Sequence, residues 1–165
     1  MTPLVVLVGP PGAGKSTVGR LLADRRGVEF RDTDLDVEAT AGETIADIFV
    51  AQGESVFREL EREAVRTALT DHDGVLALGG GAVGDAGTRG LLAGHRVVFL
   101  DVSLADATAR VGLNRDRPLL LGNPRAQLRS MLEERRPLYV EVASATIDTA
   151  GRAPDEVVAA LEAVL

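Results

Sequence analysis

The stretch Leu4-Val5-Val6-Leu7-Val8-Gly9-Pro10-Pro11-Gly12-Ala13-Gly14-Lys15-Ser16 decides the fold of this chain of 165 residues. Its first five residues are apolar, as expected of a short strand buried on both faces of a parallel sheet. Its last eight residues match the pattern G-x-x-x-x-G-K-S/T, which forms a phosphate-binding loop when it joins a strand to a helix. The stretch therefore predicts a P-loop at the first strand–helix turn of an α/β domain.

The chemistry of this loop indicates a nucleotide ligand. Glycines let the backbone bend so that successive N–H groups point at phosphate oxygens, and the helix N-terminus adds the positive end of its dipole. Lys15 is placed to reach the β- and γ-phosphates of ATP, and Ser16 is placed to offer its hydroxyl to Mg²⁺. A structural glycine-rich turn is the less favoured alternative. The predicted nucleotide contacts of the loop are Gly12, Ala13, Gly14, Lys15, Ser16 and Thr17.

The rest of the chain alternates short apolar runs with helical patterns. Strands are predicted at residues 4–8, 28–31, 75–78, 96–100 and 146–148. Helices are predicted at 15–26, 44–50, 54–69, 85–93, 103–110, 125–138 and 154–165, and a loop at 112–123. This alternation predicts a single domain over residues 1–165, with a parallel sheet covered by helices on both faces. Ligands of such sheets bind at the carboxyl ends of the strands.

Composition excludes several classes of function. The chain has no cysteine, which excludes disulfides and thiolate metal sites and fits a reducing compartment. Its net charge of −7 disfavours a nucleic-acid partner, because such binders usually need a basic surface. The N-terminal apolar run has no preceding basic segment and is too short to span a membrane. We expect a soluble, cytoplasmic protein without a membrane partner.

Two carboxylates follow the second predicted strand. Asp32 and Asp34 stand two residues apart and can project into one crevice, where Asp32 could hold Mg²⁺ through its water shell and Asp34 could accept a proton. A helix N-cap explains the same residues equally well. Asp101, which ends the apolar run 97–100, is a rival metal ligand, although a role at the strand end accounts for it too.

A second group of candidates lies further along the chain. Arg58 and Glu61 are three residues apart on a predicted helix, so the glutamate can orient the arginine toward an anionic ligand. An exposed ion pair of little energetic value is the commoner explanation of such spacing. The run Gly79-Gly80-Gly81 suits a place where a ligand approaches the main chain closely. A plain loop is the alternative explanation.

Arginines are concentrated around the predicted loop 112–123. A loop carrying Arg115 and Arg117 could close over ATP and bring positive charge to the phosphoryl group in transfer. A solvated basic surface is the alternative. The neighbouring arginines of this group are Arg110, Arg135 and Arg136.

Taken together and in this order, these segments resemble shikimate kinase over essentially the whole chain. The resemblance rests on residues 9–17, 32–34, 45–49, 57–61, 79–83, 117–120 and 135–139. It implies a three-layer P-loop fold like that of nucleoside monophosphate kinases, with a five-stranded parallel sheet, a substrate-binding segment at about 33–61 and a lid at about 112–124. It also implies ATP-dependent phosphorylation of the 3-hydroxyl of shikimate, a step toward chorismate and the aromatic amino acids, by an enzyme we expect to be monomeric.

The resemblance further implies residue roles. Lys15, Asp34 and Arg117 would be the catalytic residues, with Asp34 acting as base or as orienter of the substrate hydroxyl. Ser16 would bind Mg²⁺ directly and Asp32 through water, which displaces Asp101 as the metal residue. Arg110, Arg117 and Arg152 would complete the nucleotide site. The implied substrate contacts are Asp34, Phe49, Phe57, Arg58, Glu61, Gly79, Gly80, Gly81, Leu119 and Arg135.

The sequence leaves open which of two adjacent arginines faces the site, and it leaves two alternative functions. Arg135 and Arg136 are adjacent and would point about 100° apart on a helix, so one of them faces the site. The pattern Arg-x-Pro-Leu-Tyr favours Arg135. A kinase for gluconate or a nucleoside monophosphate is the nearest alternative function, and a nucleotide-dependent switch ATPase is the more distant one.

Overall fold

A computed structural model describes residues 2–111 and 124–165 of the chain. Within them five parallel strands form one sheet in the order β2-β3-β1-β4-β5. The strands are β1 (Val5–Val8), β2 (Phe30–Asp32), β3 (Val75–Ala77), β4 (Val97–Asp101) and β5 (Ala145–Asp148). The predicted α/β fold with a five-stranded parallel sheet is confirmed.

Helices connect consecutive strands, and a short 3₁₀ turn at Ala82–Gly84 follows β3. The helices are α1 (Lys15–Arg26), α2 (Thr33–Ala41), α3 (Ile45–Gln52), α4 (Glu54–Asp71), α5 (Ala86–Leu91), α6 (Leu104–Val111), α7 (Pro124–Val142) and α8 (Pro154–Ala163). In the part of the chain that the structure describes, no helix is both long and apolar enough to cross a lipid bilayer.

Strand β1 occupies the centre of the sheet. It pairs with β3 on one side and with β4 on the other, so that Val6 is aligned with both Leu76 and Val97. All four of its residues are buried, as the unbroken apolar run predicts for a strand covered on both faces. The P-loop that follows β1 is therefore carried by the fully buried central strand of the sheet.

Alternate side chains of β1 enter two different cores. Val5 and Leu7 pack with residues of α1 and α8, whereas Val6 and Val8 pack with residues of α4 and with Tyr139 of α7. This division gives three layers, with the sheet between two groups of helices. A third, smaller cluster of Val37, Ile48 and Phe57 joins α2, α3 and α4 beyond the end of β2.

Two element assignments from the sequence need correction. Helix α2 is absent from the predicted helices and was implied only by the N-cap alternative for Asp32 and Asp34. The Asp32 side chain does cap it, because it accepts a hydrogen bond from the N–H of Asp34. Helix α7 was predicted to end near Pro137, yet it continues to Val142. Pro137 is exposed, while the buried Tyr139 beyond it packs in the core, so core packing outweighs the hydrogen bond that proline removes.

Other boundaries shift by a few residues. Strand β2 begins at Phe30 rather than at residue 28, because the N–H of Val28 still bonds to the carbonyl of Ala23 at the end of α1. The remaining predicted strands and helices are found within a few residues of their expected ends. The predicted loop at 112–123 lies outside the described residues.

Candidate active site

The carboxyl ends of the central strands surround a cleft of about 390 Å³. It lies between the P-loop, the start of α2 and the glycine segment, by which we mean Gly79, Gly80 and Gly81 after β3. The order of the strands explains this meeting, because β1 and β3 are neighbours and β2 follows β3 at the sheet edge. The lining residues are Pro11, Gly12, Gly14, Lys15, Ser16, Thr17, Asp32, Asp34, Ala77, Leu78, Gly79, Gly80 and Arg110.

The P-loop has the backbone geometry that its glycines allow. Gly14 adopts a left-handed conformation with φ 89° immediately before α1, where a side chain would be strained. The Lys15 ammonium folds over the loop and donates hydrogen bonds to the carbonyl oxygens of Gly9 at 2.6 Å and Pro10 at 3.1 Å. The loop thus places one cation and the N-terminus of α1 at the same end of the cleft.

Asp32 makes one contact with α2 and one with the P-loop serine. Its Oδ1 accepts the N–H of Asp34 at 2.9 Å, which caps α2, and its Oδ2 lies 3.4 Å from the hydroxyl oxygen of Ser16. Capping and a place beside the P-loop serine are therefore compatible. A hydroxyl and a carboxylate oxygen are ligands that Mg²⁺ accepts together with water and phosphate oxygens, so this pair fits the ion.

Asp101 is occupied elsewhere. Its Oδ1 accepts the N–H of Val102 at 2.9 Å, and its Oδ2 is paired with the guanidinium of Arg136. The residue lines a separate cavity of about 270 Å³ between β4, α6 and α7. These contacts favour the structural interpretation of Asp101 over the metal-binding one.

Arg58 and Glu61 form a buried pair on α4. Nη1 of Arg58 donates to Oε1 of Glu61 at 2.7 Å, and the side chains are 18% and 2% exposed. The commoner interpretation of this spacing, an exposed ion pair, is therefore wrong here. The Arg58 guanidinium also lies 5.1 Å from the centre of the Phe57 ring. Glu61 and Phe57 together fix the orientation of the arginine.

The Glu61 carboxyl is held in an unusual electrostatic environment. Burial raises its pKa from 4.5 to about 7, while Arg58 and Arg135 oppose the rise and Asp34 adds to it. Asp34 and Glu61 flank Gly79 so closely that a Cβ atom there would lie 2.5 Å from Asp34 Oδ1 and 2.9 Å from Glu61 Oε2. The glycine segment is thus bordered by two carboxyl groups at its first residue.

Two arginines border the other end of the glycine segment. A Cβ atom on Gly81 would lie 2.5 Å from Nη2 of Arg58 and 3.0 Å from Nη2 of Arg135. Arg135 on α7 therefore approaches Arg58 on α4, whereas its neighbour Arg136 turns away to Asp101. Two guanidinium groups beside an open glycine backbone form a cradle for an anion.

Sequence reasoning gave no role to two hydroxyl groups that reach the glycine segment. Oγ1 of the buried Thr33 accepts the N–H of Gly79 at 3.3 Å, and the hydroxyl of the buried Tyr139 donates to the carbonyl of Gly80. Both residues stand within segments that the sequence singled out. Thr33 lies between Asp32 and Asp34, and Tyr139 is the single tyrosine of the chain and closes the Arg-x-Pro-Leu-Tyr pattern.

Comparison with known families assigns the chain to one of them. The family model described as shikimate kinase matches residues 11–165, nearly the whole chain. The chain belongs to the shikimate kinase family.

Curated shikimate kinases resemble the chain along its length. It is 64% identical over 162 residues to the shikimate kinase of Frankia casuarinae, spanning 98% of this chain and 72% of that one. It is 60% identical over 163 residues to the shikimate kinase of Streptomyces coelicolor, spanning 98% and 95% of the two chains.

Solved structures give the same result. The shikimate kinase of Acinetobacter baumannii, solved in complex with shikimate, superposes with a TM-score of 0.92 at 41% identity and covers 99% of this chain and 93% of its own. A gluconokinase from Sinorhizobium meliloti, with a TM-score of 0.59 and 20% identity, shares the fold alone.

The remaining residues that the shikimate kinase resemblance implied are placed as follows. Nη1 of Arg110 donates to the carbonyl of Gly12 at 2.8 Å, which brings that arginine to the P-loop. The rings of Phe49 and Phe57 contact each other with centres 4.9 Å apart. Arg152 is exposed on the connection between β5 and α8 and is not among the residues that line the cleft. Arg117, Leu119 and the proposed lid lie outside the described residues.

Proposed function

We propose that the chain is a shikimate kinase that transfers the γ-phosphoryl group of ATP to the 3-hydroxyl of shikimate, giving shikimate 3-phosphate and ADP. One observation carries the proposal: a P-loop cleft and a two-arginine cradle meet at the glycine segment. A phosphoryl donor at the P-loop and a small carboxylate at the cradle would then face one another. The relative solved with shikimate, at 41% identity, supports the choice of acceptor.

The nucleotide end supplies charge and alignment. Phosphoryl transfer needs little covalent chemistry from the protein, so neutralising the phosphate oxygens and holding the reactants in line do most of the catalysis. Lys15 exchanges its bonds to the loop carbonyls for the β- and γ-phosphates, and the backbone N–H groups of Gly12, Ala13 and Gly14 hold the phosphate oxygens. Thr17, Arg110 and Arg152 complete the nucleotide contacts in this proposal.

The acceptor end recognises one carboxylate and several hydroxyls. Arg58 and Arg135 hold the carboxylate, because a guanidinium matches its two oxygens in a fork geometry. Asp34 holds the hydroxyl that attacks the phosphorus and receives its proton, and Gly80 donates its N–H to the substrate. Glu61 holds the Arg58 guanidinium in position through the hydrogen bond between them. Phe49, Phe57, Gly79 and Gly81 shape the walls in this proposal, and Leu119, by the family resemblance, would contact the substrate.

Mg²⁺ fits the proposed site. Ser16 would bind the ion directly and Asp32 would hold it through water, and the ion would neutralise charge on the β- and γ-phosphates. Arg117, by the family resemblance, would approach the transferring group from the lid. All of these groups come from one chain, so we expect a monomer to be active. The absence of cysteine fits a cytoplasmic location.

A coupled assay of ADP release tests the proposed function. The purified chain receives ATP and Mg²⁺ with shikimate, with gluconate, with AMP or with no acceptor. ADP release that requires shikimate supports the proposal. Turnover with gluconate or AMP instead would keep the kinase fold and overturn the acceptor, and equal release without any acceptor would indicate an ATPase. Mass and NMR analysis of the product identifies the hydroxyl that carries the phosphate.

A further inference from the structure

The glycine segment has no side chains with which to fix itself. Its first and last residues are closely bordered by Asp34, Glu61, Arg58 and Arg135, which occupy the space where side chains would stand. Glycine also has the greatest backbone freedom of any residue. A segment of this kind needs contacts from other elements if its N–H and carbonyl groups are to keep one orientation.

Thr33 supplies the first such contact. Its side chain is fully buried, and its Oγ1 accepts the N–H of Gly79 at 3.3 Å. Thr33 is the first residue of α2 and stands directly between Asp32, which caps that helix, and Asp34. The bond therefore ties the main chain after β3 to the two aspartates that we assign to metal and acceptor.

Tyr139 supplies the second contact from the opposite side. Its hydroxyl donates to the carbonyl of Gly80, and its ring stacks on Phe99 of β4 with centres 4.9 Å apart. Tyr139 lies four residues after Arg135 on α7, one helical turn along the same face. The hydrogen bond thus joins the glycine segment to the helix that carries one arginine of the cradle.

We infer that Thr33 and Tyr139 are positioning residues of the acceptor site. They hold the glycine segment between them, and through it they set the distances among Asp34, the Gly80 N–H and Arg135. The inference rests on the proposed function for its meaning in catalysis. Neither residue needs to touch the substrate, because a group that is oriented before binding avoids the entropy cost of being ordered during it.

Four single variants separate this role from general stability. Thr33→Val removes the hydroxyl at constant shape, Thr33→Ser keeps it, and Tyr139→Phe removes the other hydroxyl while it keeps the stacked ring. Ser144→Ala is the matched control, because Ser144 Oγ donates to the carbonyl of Val97 at 3.0 Å, at the opposite end of the sheet. Three of these variants each lose one side-chain hydrogen bond to the backbone, and Thr33→Ser keeps it.

The kinetic readout is the KM for shikimate compared with the KM for ATP. Thr33→Val and Tyr139→Phe are expected to raise the shikimate KM by about three- to tenfold, the worth of one hydrogen bond, and to change the ATP KM by less than about twofold. Thr33→Ser restores the shikimate KM toward the wild-type value, and Ser144→Ala leaves the ratio of the two KM values unchanged. Equal rises in both KM values, or no rise, would overturn the inference.

A second readout does not depend on the acceptor. Hydrogen–deuterium exchange of the backbone amides in a peptide that covers residues 79–82 should be faster in Thr33→Val and Tyr139→Phe than in the wild type, Thr33→Ser and Ser144→Ala. Unchanged exchange overturns the inference whatever the kinetics show. If the wild type failed to phosphorylate shikimate, the proposed function would fall, and the exchange rates would still decide whether the two hydroxyls hold the segment.

Discussion

Glu61 is buried one helical turn after Arg58, and its Oε1 accepts a 2.7 Å hydrogen bond from the guanidinium of that arginine. Burial raises the pKa of the Glu61 carboxyl to about 7. Because this value is above the ordinary 4.5, the folded protein binds a proton more tightly than the unfolded chain does. The stabilisation from protonated Glu61 is complete below about pH 4.5 and disappears as the pH rises through about 7.

The unfolding free energy of the wild type, measured relative to Glu61→Gln, should therefore fall across this range by on the order of 3 kcal/mol. Urea unfolding of both proteins at a series of pH values measures the two unfolding free energies. Subtracting one from the other removes the contribution of the titratable groups that both proteins share. A difference that stays flat with pH would show that Glu61 does not titrate there.

The lack of space beside Gly81 predicts a selective defect when a side chain is added there. Its backbone φ of −97° suits alanine, but a Cβ atom would lie 2.5 Å from Arg58 Nη2 and 3.0 Å from Arg135 Nη2. We expect Gly81→Ala to push both guanidinium groups aside and raise the shikimate KM by about tenfold, with an unchanged ATP KM. Gly84→Ala is the control, because nothing lies within 4 Å of a Cβ atom there. Similar kinetics for the two variants would contradict this cradle.

The adjacent arginines of α7 predict opposite outcomes. Arg135 borders Gly81, and Arg136 pairs with Asp101 while its side chain is 61% exposed. Arg135→Ala should raise the shikimate KM by about tenfold or more, because a charge-assisted contact to the carboxylate is lost. Arg136→Ala should leave that KM near the wild-type value. Steady-state kinetics compare the two, and the reverse pattern would assign the cradle to Arg136.

One substitution can separate the two roles of Asp32, which are capping α2 and holding Mg²⁺ in the proposed site. Asn is as good an N-cap as Asp, so Asp32→Asn should keep α2 folded while it removes the charge beside Ser16. We expect the Mg²⁺ concentration for half-maximal activity to rise by about 10- to 100-fold. Asp36→Asn, which loses a carboxylate of the same helix paired with Arg31 at 2.7 Å, is the control. Equal Mg²⁺ dependence in both would remove Asp32 from the metal site.

The proposed lid supplies a prediction that comes from the sequence alone. Arg117→Ala should lower kcat by about 100-fold or more while it changes the Kd of ATP by only a few-fold, if this arginine stabilises charge in the transition state. Single-turnover rates and ATP titration measure the two effects separately. An equal loss in both would indicate a binding role instead.

Local patterns sufficed where local forces decide the structure. The P-loop and α1 were predicted to the residue, because the glycines, the helix and its closing Gly27 are neighbours in sequence. The burial of β1 on both faces followed from its unbroken apolar run, whereas the order of the strands and the central place of β1 did not. Pro137 misled because its local effect is overridden by the burial of Tyr139 in the core.

Contacts between distant residues could not be predicted in the same way. The sequence placed Arg58 and Glu61 one turn apart but could not show that Glu61 is buried and Arg58 mostly covered, because their cover comes from other elements. The pairing of Arg136 with Asp101 joins residues that are far apart in sequence. The hydrogen bonds of Thr33 and Tyr139 to the glycine segment depend on the same tertiary assembly.

The central place of β1 has a consequence for synthesis. Of the five strands β1 is the first to be translated, yet its partners β3 and β4 are made much later. Until they emerge, the nascent chain carries an entirely apolar segment with two open edges, which favours association with other chains. A chain truncated before β4 would keep the complete P-loop sequence without a folded site. We therefore expect the newborn protein to depend on chaperones until β4 has been translated.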